Sequence, residues 1–192
     1  MMKKLFISLA LTAAAALSAQ NVLLNPDFEE IIPAKLTEKL KKYIEADEIP
    51  KGWSVNPANP SKFTMVTDAE TSQNGSCYLR VEQKDPKKNC SCSQWWRPVK
   101  GGQTYRFTVW AKGKGSILQQ VIAYDRKKGV VGSFINSKKM TPVTSETEWK
   151  KFEYEFMMPA NTFEVVVNIK MNGVVDLDNA YLGPVKNKEK KK

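Results

Sequence analysis

Short runs of alternating apolar and polar residues recur along the chain between clusters of turn-forming residues, the period-two pattern of half-buried β-strands. The clearest is Thr104 to Ala111, where Tyr105, Phe107, Val109 and Ala111 point to one side and Thr104, Arg106, Thr108 and Trp110 to the other. Comparable runs are Lys62 to Thr67, Cys77 to Val81, Ser93 to Val99, Ile117 to Tyr124, Trp149 to Met157, Phe163 to Met171 and Val174 to Leu182. Asn74-Gly75, Gly101-Gly102, Lys112-Gly113-Lys114-Gly115, Lys127-Lys128-Gly129 and Asn172-Gly173 supply turn chemistry between several of them, and Gly173 between two runs reads as a hairpin. The expected fold is all-β, an antiparallel β-sandwich.

One stretch departs from period two. Between Pro33 and Asp47, the apolar Leu36, Leu40, Tyr43 and Ile44 fall at helical spacing, with Lys35, Glu38, Lys39, Lys41, Lys42 and Glu45 on the other positions. A short amphipathic helical insertion near the N-terminus is predicted, capping an open end of the sandwich.

The first residues follow a different logic. Lys3 and Lys4 precede an apolar run from Leu5 to Leu17, and Ser18-Ala19 supply small residues for cleavage, so residues 1–19 read as a secretory signal peptide. The run is too short to span a bilayer, and no later stretch approaches the roughly 20 apolar residues a membrane helix needs, so no transmembrane segment is expected. What remains is one domain over residues 20–185 and a basic, disordered tail over 186–192, destined for secretion, the periplasm or the cell surface.

The net charge of +10 changes the picture little. The tail holds five lysines against one glutamate, while residues 20–185 carry 23 basic and 19 acidic side chains, so basicity reads as a property of the tail and nucleic acid is not the expected partner. Three cysteines suit an oxidising compartment, and Cys77 is expected to pair with Cys90 or Cys92, a link worth about 3 kcal/mol in the chain-entropy model. The chain contains no histidine, which removes Ser-His-Asp and Cys-His hydrolases and the histidine-based zinc enzymes. There is no phosphate loop between strand and helix. Glycoside hydrolysis needs only two carboxylates, yet nothing in the sequence marks such a pair.

Aromatic residues on the solvent side carry the chemistry that remains. A pyranose has an apolar C–H face that stacks on an indole or phenol, and a polar rim read by amides and charged groups. Trp110 faces out of the core beside Arg106 if Tyr105 and Phe107 fill it, and is the leading candidate. Trp95 and Trp96 are neighbours on a strand, so one is expected to point inward and the other away. Gln119, Gln120 and Tyr124 lie on the next strand, where both alternating sets contain apolar residues, so their face is open. Trp53 and Trp149 are expected in the core.

Asn21 to Glu30, Pro50-Lys51-Gly52-Trp53-Ser54, Ser76 to Val81, Gly101 to Lys112, Glu148 to Phe152 and Asp176 to Leu182 follow one another in an order that resembles the carbohydrate-binding modules of the family 4/9, CenC-like type. The resemblance implies a jelly-roll sandwich of the galactose-binding type, a polysaccharide or glycan as partner, and a structural calcium ion held by the Asp27 carbonyl, Glu29 and Asp178. The chain departs from the family in having Asp178-Asn179 where two aspartates are usual, and in its residue 33–47 insertion and Cys90 to Trp96 region. The reading is a secreted, noncatalytic carbohydrate-binding module. The alternatives are a surface interaction or assembly protein that engages envelope proteins through the 33–47 helix, and a small glycoside hydrolase.

Overall fold

The computed structural model describes residues 20–56, 61–85 and 87–185. Residues 1–19, read above as a signal peptide, and the basic tail over 186–192 lie outside the described residues. In chain order the elements are β1 (Ile31–Pro33), α1 (Glu38–Lys41), β2 (Ile44–Glu45), β3 (Glu48–Pro50), β4 (Ser54–Asn56), β5 (Ser61–Thr67), β6 (Cys77–Gln83), β7 (Cys90–Pro98), β8 (Thr104–Tyr124), β9 (Val130–Ile135), β10 (Thr141–Val143), β11 (Lys150–Met157) and β12 (Glu164–Pro184). The fold is all-β, as the alternation requires, and is a jelly-roll sandwich.

Two strands of 21 residues organise it. β8 and β12 pair antiparallel from Glu164↔Tyr124 to Pro184↔Tyr105. Along the first half of β12 the other neighbour is β7, followed by β4, and β8 there borders β9, which makes a front sheet β4-β7-β12-β8-β9. Along the second half β12 meets β6, which leads to β5 and β2, and β8 meets β11, which makes a back sheet β2-β5-β6-β12-β8-β11. Both long strands therefore pass from one sheet to the other, the way sandwich corners are built where a strand bends. β10 pairs with β8 at the corner, opposite Gly115 to Ile117.

The expected hairpin at Gly173 is therefore absent, and Lys112 to Gly115 is no turn. The glycines mark a bend taken by both strands together: Gly173 faces Gly115 in register, and Gly113 and Gly173 have φ of 130° and 80°. A Cβ on Gly173 would lie 2.5 Å from the Lys114 carbonyl oxygen, and one on Gly115 would lie 2.1 Å from that of Asn172. Without side chains the two backbones approach closely enough to turn the corner in step.

The core between the sheets is filled by the inward sets of each strand: Leu79 and Val81, Tyr105 to Ala111, Ile117, Val121 and Ala123, Phe152 and Phe156, Val165 to Met171 and Val175 to Leu182. The segment after residue 20 lies along the end of β12, with the Val22 amide donating to the Leu182 carbonyl and the Ala180 amide to that of Pro26. Phe28 and Trp53 pack here at 5.2 Å, both buried, so the expectation for Trp53 holds.

Two expectations are corrected. The helix over residues 33–47 is the single turn α1, capped by Thr37. Its flanks are claimed by strand pairing, Ile31–Pro33 with Glu48–Pro50 and Ile44–Glu45 with Ser61–Lys62, which satisfies backbone groups that so short a helix would leave weakly held. Second, Cys77, Cys90 and Cys92 are free, buried thiols. Cys90 faces Met171 on β12, whereas Leu79, two residues beyond Cys77, faces Leu177. Those partners are six positions apart, roughly 20 Å of extended chain, far beyond the spacing of about 4.4–6.8 Å between Cα atoms that a disulfide tolerates. Burial pushes the Cys90 thiol up to about 11, so it is inert at neutral pH.

Candidate functional site

Alternation fixes what the front sheet shows to solvent. Ile117, Gln119, Val121 and Ala123 of β8 face the core, so Leu118, Gln120, Ile122 and Tyr124 face out, and across the ladder Glu164, Val166, Asn168 and Lys170 of β12 do the same. β7 breaks the alternation at one place. Val165 pairs with Arg97 and Val167 with Gln94, so Trp95 and Trp96 together oppose Val166 in a β-bulge, with Trp96 at φ 54°. The expectation that one indole points inward is overturned, because the extra residue turns both to the surface, 48% and 41% exposed. Their rings lie 6.1 Å apart, and Trp96 meets Tyr124 edge-on at 5.0 Å. Three rings of one sheet face thus form a continuous aromatic ledge.

Polar groups continue from the ledge across the face. Asn56 Nδ2 donates to Ser93 Oγ at 3.0 Å, and Ser93 Oγ donates to Asn168 Oδ1 at 2.7 Å, a row that links β4, β7 and β12. Gln120 Nε2 donates to Ser133 Oγ at 3.2 Å, joining β8 to β9. The Lys128 ammonium lies 4.0 Å over the Trp96 ring and is paired with Glu164. An indole ledge thus lies beside a row of amides and hydroxyls on one sheet face. Asn56, Ser93 and Asn168 escaped the sequence reading, although Asn168 and Lys170 are the polar positions within an otherwise apolar run.

The remaining candidates lie elsewhere. Gln119 is wholly buried and donates to the Phe107 and Phe152 carbonyls, so it belongs to the core and Gln120 alone of the two reaches the surface. Trp110 is half-buried on the outer face of the back sheet, between Lys151 and Asp178 on the flanking strands. Its neighbours are bound to one another. Arg106 is held by Glu155 at 2.9 Å, Arg80 forms a two-pronged pair with Asp176, and Lys151 reaches Glu153. Trp149 is half-buried on this same face and not in the core: it meets Tyr78 edge-on, and the buried Lys112 lies 4.8 Å from the Tyr78 ring and 4.6 Å from the Trp149 ring. Lys112 donates to the Thr71 carbonyl, and burial lowers its pKa. The back face is occupied by its own pairs.

Glu29 and Asp178 do meet at one corner, around the turn over residues 73–77. Glu29 accepts from the Ser76 and Cys77 amides and the Ser76 hydroxyl, and Asp178 accepts from the amides of Gln73, Asn74 and Asn179. Burial pushes the Glu29 carboxyl up, but these donors outweigh it and hold it below the usual value. For Asp178 burial prevails, and its carboxyl is pushed up to about 6. All four carboxylate oxygens are met by N–H or O–H donors. These donors commit both carboxylates to bracing the turn over residues 73–77. Among the described residues no three His, Cys, Asp or Glu side chains are grouped to hold a metal.

A family model described as a carbohydrate binding domain matches residues 20–179. No curated protein matches the chain. Among solved structures, a xylan-binding domain from Paenibacillus barcinonensis is 14% identical with a TM-score of 0.55, over 90% of this chain and 99% of that one. Tailspike protein 4 of bacteriophage CBA120 is 14% identical with a TM-score of 0.58, over 70% of this chain and 20% of that one. An arabinose-bound α-L-arabinofuranosidase is 14% identical with a TM-score of 0.56, over 88% of this chain and 27% of that one. The chain thus spans all of the first but only a fifth to a quarter of the two larger proteins. At these identities the likeness is one of fold.

Proposed function

Because the chain belongs to the family of carbohydrate-binding domains over residues 20–179, we infer that it is an exported, noncatalytic module that holds a polysaccharide on the outer face of its front sheet. Trp95, Trp96 and Tyr124 stack against sugar rings, while Asn56, Asn168 and Gln120 read the hydroxyls and the buried Ser93 holds Asn56 and Asn168 in place. The observation that carries this reading is the bulge in β7, which brings two adjacent indoles to the surface next to the half-buried Tyr124. A protein interior gains from burying such rings, so leaving both half in water favours a ligand that covers them.

The front face also supports binding over hydrolysis. Among the described residues the alternation places one carboxylate on it, Glu164, which Lys128 engages, whereas glycoside hydrolysis requires two. Among those residues no helix is long and apolar enough to cross a membrane.

The test is retention on a glycan array by the wild type and by Trp95→Ala, Trp96→Ala and Trp110→Ala. Losing the stacking surface of one indole costs on the order of 2 kcal/mol, roughly thirtyfold in Kd. The first two variants are expected to lose that much while circular dichroism shows an intact fold, and Trp110→Ala on the back sheet is expected to bind like the wild type. Loss on Trp110→Ala alone would move the site to the other face, and the absence of any glycan ligand would reject the reading.

A further inference from the structure

The near balance of charge over residues 20–185 conceals a strong segregation. Residues 84–139, which contain β7, β8 and β9, carry 13 lysines and arginines against two aspartates, while residues 20–83 and 140–185 together carry 10 basic against 17 acidic side chains. Arg106 and Lys112 of this segment are engaged on the back sheet. Much of the remainder lies around the front sheet, so the basicity is not confined to the tail.

Beside the aromatic ledge the excess takes a definite shape. The turn between β8 and β9 carries Arg126, Lys127 and Lys128, and Asp125 in it accepts the amides of Lys127 and Gly129, which fixes the turn. An open groove of about 680 Å³ runs past it, lined by Lys100, Arg126, Lys127, Asn161, Thr162 and Phe163. The Arg126 guanidinium rests 4.8 Å over the half-exposed Phe163 ring, which holds its fork in place. The Thr162 hydroxyl on the groove wall is buried and has no hydrogen-bond partner among the described residues. Asp125 is the one carboxylate that lines the groove among those residues.

Resting on the carbohydrate-binding reading above, we propose that the glycan is acidic, bearing carboxylate or sulfate groups that enter the Lys100–Arg126–Lys127 groove while neighbouring rings stack on Trp95 and Trp96. A planar guanidinium pairs with either anion through two parallel hydrogen bonds, and the free Thr162 hydroxyl supplies a third donor. Neutral glycans use the ledge alone.

The experiment measures binding of the full chain to an array of neutral, uronate-bearing and sulfated glycans, with polygalacturonate and its methyl ester as a matched pair and a single-stranded oligonucleotide as a competitor. A preference of tenfold or more for acidic over neutral partners at 50 mM salt is expected, weakening as salt screens the groove. Lys100→Gln, Arg126→Gln and Lys127→Gln together are expected to bring that ratio near one, leaving neutral binding unchanged and the circular dichroism spectrum as in the wild type. Stronger binding to carboxylate or to sulfate identifies the anion. Equal binding to acid and ester overturns the charge proposal and leaves the carbohydrate reading standing. Retention on no glycan overturns both, and tighter binding to the oligonucleotide than to every acidic glycan overturns this proposal in favour of nucleic acid.

Discussion

Asp178 lies where burial and hydrogen bonding oppose each other. Its side chain is fully buried, and three backbone amides point at it, yet its carboxyl is pushed up to about 6 because desolvation outweighs them, with the nearby Glu29 charge acting in the same direction. The folded state then binds a proton more readily than the unfolded state between about pH 4 and pH 6, so this residue's contribution to stability falls as pH rises through that window. Asp178→Asn removes the titration while preserving the shape. The expected result is a wild-type minus variant difference in melting temperature that declines from pH 4 to pH 6; a difference that does not change with pH would place the carboxyl at its ordinary value. Glu29 titrates in the opposite sense but is common to both proteins. At this scale the sequence identified the right residue types more readily than their orientations. Strict alternation assigned Trp95 and Trp96 to opposite sides, and the bulge beside Val166 requires a positive φ at Trp96 that no composition rule anticipates. Gln119 and Gln120 were undecidable for the reason that both parities of their strand are apolar, and only the neighbouring strands settle which one is sealed.

The same distinction holds for whole elements. Strand positions were legible because period two is a local property, and β5, β6 and β11 begin and end within a few residues of the sequence limits. Their connections were less legible, since a glycine that bends a strand and a glycine that reverses it look alike in one dimension. The physical difference lies in what is opposite: Gly173 faces Gly115, so two bends coincide and the strands continue into the second sheet. Gly173→Ala therefore meets both a φ of 80° and a backbone oxygen at 2.5 Å. The first costs roughly 1–2 kcal/mol and the clash adds to it, so a total of about 2–4 kcal/mol is expected in urea or thermal unfolding. Gly129→Ala serves as the comparison, because its new methyl would meet nothing closer than the Asp125 carboxylate at 3.4 Å. A change below about 0.5 kcal/mol is expected there. If Gly173→Ala were equally silent, the shared bend would not be what holds the corner.

For the molecule as a whole, the two long strands make the sheets inseparable. Neither the front sheet, which presents the aromatic ledge, nor the back sheet, with its internal ion pairs, contains a complete set of strands of its own, because each borrows half of β8 and half of β12. Removing one sheet would expose the inner face of the other and leave unpaired ladders on both sides of β12, at a cost no partial structure recovers. The beginning of the domain is tied in as well, through Asn21, whose amide donates to the Ala180 carbonyl and whose oxygen accepts from the Leu182 amide. Unfolding is accordingly expected to be a single cooperative transition, in which far-ultraviolet circular dichroism and tryptophan fluorescence trace the same urea midpoint even though Trp95 and Trp96 report on one sheet and Trp110 and Trp149 on the other. Separate midpoints would mean that one sheet survives without its neighbour and that the bend at Gly115 and Gly173 acts as a joint. A shared midpoint has a consequence for binding, since a ligand gripping only the front face would then raise the stability of both sheets by the same amount, RT ln(1 + [L]/Kd).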